Sequence, residues 1–207
     1  MKQALNECVG TMFLVVIIGL TGDPLAIGLG LAVLIYAGGP ISGAHYNPAV
    51  SLAMVLRREL SCRGLWCYLG AQIAGATAGV ALVALLGTSL EVKPPEGPPL
   101  PQVLLAEFVF TYLLVFVILN VATSPEVKGN SYFGLAIGLT VTAGAWCVGS
   151  ISGAAFNPAV ALGSALGDLT FNTGHSHLSV WIYLTAPIAG SLLAVVHYTF
   201  IKGRPDS

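Results

Sequence analysis

Ile41-Ser42-Gly43-Ala44-His45-Tyr46-Asn47-Pro48-Ala49-Val50 returns 110 residues later as Ile151-Ser152-Gly153-Ala154-Ala155-Phe156-Asn157-Pro158-Ala159-Val160. Across 41–56 and 151–166, 10 of 16 positions are identical, which is too close for coincidence and marks a duplication. Each copy opens a helix in the same way. Asn accepts from N–H groups that have no partner inside the helix, and Pro at the first helical position removes one such group. Helices over 48–56 and 158–166 would be roughly 13 Å long at ~1.5 Å per residue. That is about half of the ~30 Å hydrocarbon layer of a bilayer. The Ser-Gly-Ala stretches upstream are expected to dip inward as extended, non-helical backbone. Such backbone survives at membrane depth only where protein or cavity water satisfies it.

The rest of the chain supports that setting. Of 207 residues, 56% are hydrophobic and only 8% are charged, against about 25% charged in soluble domains. Too few polar residues remain to cover a soluble surface, so an integral membrane protein is expected. Apolar stretches near 4–22, 24–41, 65–86, 102–122, 131–149 and 178–200 read as six spans. The first has no cleavage-like end and contains Glu7, so it reads as a helix and not as a removed leader. With the N-terminus inside, Lys2, Arg57, Arg58, Arg63, Lys128, Lys202 and Arg204 fall on the cytoplasmic side, and Lys93 alone falls outside. This asymmetry predicts cytoplasmic termini, and the plasma (cell inner) membrane is the expected location. No basic patch suits nucleic acid. Cys8, Cys62, Cys67 and Cys147 show no pairing pattern and are expected as free thiols. No metal or cofactor site is expected.

The duplication extends beyond the two Asn-Pro-Ala segments. Leu25–Leu29 matches Leu135–Leu139, while Leu5, Glu7, Val9, Thr11, Leu14 and Val15 match residues 100 positions later, Glu107 among them. Residues 1–207 therefore read as one unit made of repeats 1–86 and 102–200, joined by the proline-rich loop 87–101. The loop is expected to be a plain extracellular linker. Three crossings per repeat force the second repeat into the membrane from the opposite side. The expected fold is thus an all-α membrane protein with six transmembrane helices, two re-entrant half-helices and an inverted repeat, its site lying at the midplane. The half-helices would aim their positive ends at one another, each carrying roughly half a charge. That repels cations and leaves the amide NH2 of Asn47 and of Asn157 free to donate to a neutral solute. Two capped helix starts without a pore are the alternative, disfavoured by the duplication.

These residues resemble the aquaporin (major intrinsic protein) family over almost the whole chain. The resemblance rests on Ser42–Val50 and Ser152–Ala159, on Glu7 and Glu107, on Ala71–Gly75 and on Pro187–Gly190. It implies a right-handed six-helix bundle, one pore per protomer, a homotetramer in lipid and passage of water and small neutral solutes. It makes Glu7 and Glu107 acceptors for the backbone of the re-entrant loops, and it places His45 along the pore or bracing the loop. Small residues at Gly70, Ala74 and Ala78 and at Ala186, Gly190 and Ala194 suggest close helix-packing faces.

The chain departs from the family at one position. Most members carry Arg after the second Asn-Pro-Ala, where this chain has Val160. Counting from the motif, the outer constriction would be Ile27, Ala145, Ala154 and Val160. An all-apolar ring offers an ion nothing in exchange for its hydration shell. A wider aperture for larger neutral solutes is expected, with metalloid hydroxides such as arsenous acid as one reading. The alternatives are a water or hydrogen peroxide channel and a non-conducting junction or scaffold on the same fold. An enzyme is not expected, because no nucleophile–base pair, metal cluster or phosphate loop is visible. His175 and His177 read as a solvated loop, His197 as packing or interfacial, and Trp66, Trp181, Tyr68 and Tyr183 as interfacial anchors. Cys147, two residues past Ala145, would confer sensitivity to mercurials if it faces the outer vestibule.

Overall fold

The computed structural model describes residues 1–171 and 174–203, so Arg204 lies outside the described residues. Regular structure among them is helical: α1 (Lys2–Thr21), α2 (Pro24–Ser42), α3 (Pro48–Leu56), α4 (Cys62–Leu85), α5 (Leu100–Ile118), α6 (Phe133–Ser152), α7 (Pro158–Phe171) and α8 (Ser176–Lys202). A π-helical turn, Leu119–Thr123, prolongs α5. Six of these helices are long and apolar enough to cross a membrane: α1, α2, α4, α5 with its π turn, α6 and α8. The short α3 keeps the expected bounds. In contrast, α7 continues five residues past the expected Leu166, through Gly167 and Asp168 to Phe171. Asp168 is buried, and its carboxylate accepts the Ser176 N–H at 2.7 Å, which ties α7 to the start of α8.

The halves repeat each other in three dimensions. α1 packs on α4 as α5 packs on α8, while α2 and α6 meet each other across the centre. A Cβ built on Gly75 would lie 2.1 Å from the Cys8 carbonyl oxygen, and one built on Gly190 would lie 2.2 Å from that of Phe108. Cys8 and Phe108 are themselves 100 residues apart, the offset that relates α1 to α5 in sequence. At the centre, a Cβ on Gly28 would lie 2.4 Å from the Gly138 oxygen, and the converse distance is 2.2 Å. Each contact brings backbone against backbone, an approach available only where a helix presents glycine.

The small-residue face expected on α4 needs correction. Gly70, Ala74 and Ala78 are exposed, and nothing lies within 4 Å of a Cβ built on Gly70. The face that packs on α1 is one position further on and includes Gly75 and Gly79, while the neighbouring Ala76 meets Gly163 of α7. On α8 the expected Ala186, Gly190 and Ala194 are indeed buried. Replacing Gly190 with Ala forces α5 and α8 apart against rigid backbone and is expected to cost about 1–3 kcal/mol. Gly70→Ala has open space and is expected to be neutral. Thermal unfolding of the two variants in detergent compares them directly.

Candidate functional site

Each re-entrant loop begins where a spanning helix stops. The Ser-Gly-Ala stretches do not have the extended backbone that sequence reading expected. Ser42 and Ser152 are the last residues of α2 and α6. Beyond them, Gly43, Ala44 and Tyr46 have φ values of 85°, 51° and 49°, and Gly153, Ala154 and Phe156 have 83°, 51° and 50°. Left-handed backbone in non-glycine residues is strained and persists only where the surroundings enforce it.

Two buried carboxylates enforce it. Glu7 Oε1 accepts from Ser42 Oγ at 2.6 Å and from the His45 N–H at 3.0 Å, and its Oε2 accepts from the Tyr46 N–H at 2.7 Å. Glu107 repeats the pattern with Ser152 Oγ at 2.7 Å, the Ala155 N–H at 3.0 Å and the Phe156 N–H at 2.8 Å. Both side chains are fully buried. A lone carboxylate there would be prohibitive, but one that satisfies three donors is not.

Tyr68 and Tyr183 are also part of this framework and are not interfacial anchors, being 3% and 0% exposed. Their hydroxyls donate to the Ser42 and Ser152 carbonyls at 2.7 and 2.5 Å, capping the final turns of α2 and α6. Trp66 and Trp181 do remain exposed.

At the centre, the Asn47 and Asn157 side-chain oxygens accept the Ala49 and Ala159 N–H groups at 2.9 Å each, capping α3 and α7. Sequence reading left each amide NH2 free for a solute, but one proton of each is taken within the protein. Asn47 Nδ2 donates to the Phe156 carbonyl at 2.9 Å and Asn157 Nδ2 to the Tyr46 carbonyl at 2.8 Å. Each NH2 has two protons. One locks the opposite loop in place, and the other remains for a ligand.

A cavity of about 1230 Å³ passes these asparagines. Gln3 and Gly22, at the two ends of α1, both line it, so it runs the length of that helix. Ile27, Ala145, Ala154 and Val160 all line it, as do Asn47, Asn157 and His45. Gly153, Ala154 and Ala155 line it, and none of their carbonyls accepts a hydrogen bond from a described residue. The chamber therefore offers apolar walls, unpaired carbonyl acceptors and the positive ends of two half-helices. A neutral hydrogen-bonding solute fits that chemistry, and an ion does not.

Cys147 is exposed but does not line the cavity, although Ala145 and Gly149 do. Two residues along a helix is about 200° of rotation, so Cys147 is on the outer face of α6. A mercurial is therefore expected to leave flux unchanged while still labelling Cys147. A block abolished by Cys147→Ser would contradict this placement.

The linker 87–101 is not a plain connection. Leu90, Glu91, Val92 and Lys93 line the cavity mouth, and Val92 is 8% exposed. The Val92 N–H donates to Ser176 Oγ at 2.9 Å, and Ser164 Oγ donates to the Leu90 carbonyl at 2.7 Å. Glu91 accepts the His175 N–H at 2.7 Å and pairs with Lys93 at 2.8 Å. The hydrogen bond from Lys93, reinforced by the His175 N–H, holds the Glu91 carboxyl below its ordinary range. Proline content hid this docking, because it reports stiffness and not partners. At the opposite mouth, residues 121–125 and 127–130 line the cavity; Asn130 Nδ2 clamps the Val121 and Val127 carbonyls at 2.7 and 2.8 Å. Lys202 is paired with Glu126 beside it.

His175 and His177 stack edge to face with centroids 6.1 Å apart. No group of three or more His, Cys, Asp or Glu suited to a metal occurs among the described residues. His197 is partly buried, hydrogen-bonded to Tyr112 at 2.5 Å and stacked on Phe116. One residue that sequence reading used only as part of a motif is Gln72, fully buried and hydrogen-bonded to Glu7 Oε2 at 2.8 Å and Ser51 Oγ at 2.9 Å. A lone amide in an apolar helix was the available signal.

Residues 16–198 match the family model described as Major intrinsic protein. The chain is 38% identical over 185 residues to Aquaporin NIP1-1 of Oryza sativa subsp. japonica, covering 87% of this chain and 62% of the relative. It is 34% identical over 223 residues to Aquaporin NIP2-1 of the same plant, covering 98% and 71%. Against Aquaporin NIP1-1 of Zea mays it spans 63% of the relative's length. The chain thus spans a little under two thirds of most of these relatives. The solved structure of the aquaglyceroporin from Plasmodium falciparum superposes with a TM-score of 0.81, covering 95% of this chain and 94% of that one at 24% identity, a likeness of fold.

Proposed function

Because this chain belongs to the major intrinsic protein family, we propose that it is a passive transmembrane channel, not an enzyme, for water and small neutral polar solutes. One observation carries the reading: a single cavity passes both Asn47 and Asn157 and is lined by Ile27, Ala145, Ala154 and Val160 with no polar side chain among those four. In this proposal the two Asn-Pro-Ala segments form the central barrier to cations. Glu7 and Glu107 brace the loops that carry them. The apolar ring sets the outer size limit, and His45 lines the cytoplasmic half. The family relatives and the six spans support a multi-pass membrane protein. The reading adds both termini in the cytoplasm, residence in the plasma (cell inner) membrane, a homotetramer and repeats 1–86 and 102–200 as one channel unit.

Among solutes we infer that neutral metalloid hydroxides such as arsenous acid pass. Small ring residues give width, and unpaired carbonyls at Gly153–Ala155 accept hydroxyl protons. Reconstitution in liposomes tests the proposal through uptake of water, glycerol and arsenous acid. All three are expected to exceed protein-free vesicles. Rates equal to the control for every solute overturn the channel, and uptake of water alone overturns the wide aperture.

A further inference from the structure

The two halves repeat their backbone but not their polar side chains. The α4 to α8 correspondence set by Tyr68 with Tyr183 and Gly75 with Gly190 places Gln72 opposite Pro187. The motif alignment likewise places Ser51 opposite Ala161 and His45 opposite Ala155. One repeat thus holds a chain of hydrogen bonds that the other lacks. Gln72 Nε2 donates to Glu7 Oε2 at 2.8 Å and to Ser51 Oγ at 2.9 Å, and Ser51 Oγ lies 3.1 Å from His45 Nδ1.

The directions of these bonds follow from what each group can do. Rotating the Gln72 amide would set its oxygen against the carboxylate of Glu7, acceptor against acceptor, so the NH2 faces Glu7 and both amide protons are committed. The cost of this arrangement is visible, because Gln72 Oε1 is buried without a partner. Ser51 Oγ, fully buried, therefore accepts from Gln72. Its own proton has one acceptor within reach among the described residues, His45 Nδ1. If His45 instead carried its proton on Nδ1, the buried Ser51 hydroxyl would have no acceptor among the described residues. Neutral His45 must then carry its proton on Nε2. That nitrogen has no hydrogen-bond partner among the described residues, the ring is held edge to face by Tyr68 at 5.1 Å, and the residue lines the cavity.

We propose that Gln72 and Ser51 are positioning residues that place the proton on Nε2 of His45. The cavity thereby gains a fixed side-chain donor on one side of the asparagine pair and has none at the equivalent place on the other. A solute with an acceptor oxygen then gains a partner at His45 that the other half does not supply, and hydroxylated neutral solutes carry such an oxygen. The proposal rests on the channel reading for this consequence but not for the tautomer itself.

The test uses the full chain with 15N-labelled histidine in liposomes. Its four histidines give few enough resonances for a His45→Ala spectrum to assign position 45. In the unsubstituted protein, Nδ1 is expected at the unprotonated and Nε2 at the protonated shift. The reverse assignment, or rapid exchange between the two, overturns the proposal without recourse to any variant. Ser51→Ala is expected to release the constraint and give both tautomers, with arsenous acid and glycerol uptake falling about twofold as the donor form drops to half its population. A single Nε2–H tautomer in Ser51→Ala shows that Ser51 does not position it and also overturns the proposal. Absence of uptake by the unsubstituted protein sinks the channel reading instead, and the NMR result still decides the tautomer.

Discussion

Glu107→Ala is expected to abolish flux and to lower the unfolding temperature more than any substitution on the cavity wall. The carboxylate accepts from Ser152 Oγ, the Ala155 N–H and the Phe156 N–H, and alanine leaves them without it. Each orphaned buried donor costs about 1–3 kcal/mol. Three together approach the ~5–15 kcal/mol by which ordinary domains are stable. The left-handed residues Ala154 and Phe156 would also lose what holds them. Since the Phe156 carbonyl is the partner of Asn47, the damage reaches the other half of the chain. Glu107→Gln keeps one acceptor oxygen but turns two N–H donors toward a cluster of donors, so an intermediate loss is expected. Thermal unfolding in detergent and liposome uptake read the two effects separately. An alanine variant that melts and conducts like the parent would show that the carboxylate does not brace the loop.

Val160→Arg is expected to change selectivity more than stability. Val160 is 2% exposed in the first turn of α7 and lines the cavity with Ile27, Ala145 and Ala154. Arginine remains charged at any accessible pH and brings five donors into that ring. It narrows the aperture and hydrogen-bonds the carbonyls that a solute would otherwise use. Uptake of glycerol and arsenous acid is expected to fall by tenfold or more, equivalent to about 1.4 kcal/mol of added barrier, while water uptake falls much less. The ratio of the rates in liposomes is the readout. A ratio unchanged from the parent would place Val160 outside the constriction.

Much of the architecture was legible in the residues, and for a reason that belongs to membranes. A bilayer leaves no water for backbone groups, so an apolar stretch of the right length has to be a spanning helix. The start of a half-helix is local chemistry as well. Asn47-Pro48 and Asn157-Pro158 supply the cap and the missing N–H within two residues of each other, and both helices begin at those prolines. Their ends were less secure, because what carries α7 on to Phe171 includes the anchoring of Asp168 by Ser176, which no local pattern reveals.

Side-chain direction was legible only in part. Periodicity marked Ala186, Gly190 and Ala194 as a packing face but missed by one residue on α4, where Gly75 and not Ala74 meets the Cys8 carbonyl. Tyr68 and Tyr183 lie near expected helix starts and so read as interfacial anchors, yet their hydroxyls find helix-end carbonyls inside the protein. Such partners depend on where another element comes to rest.

The duplicated motif and its apolar surroundings alone were enough to require six spans, two half-helices and an inverted repeat, since hydrophobicity, capping and the parity of crossings act along the chain. The bonds that make a site of those parts run between the halves or across the membrane thickness. They include Asn47 to Phe156, Asn157 to Tyr46 and the docked loop at Val92. That Gln72, Ser51 and His45 have no counterparts in the other half could be read from the residues, but that they join in one chain of hydrogen bonds could not. Hydrogen bonds have direction as well as reach, and only the packed helices settle which donor faces which acceptor.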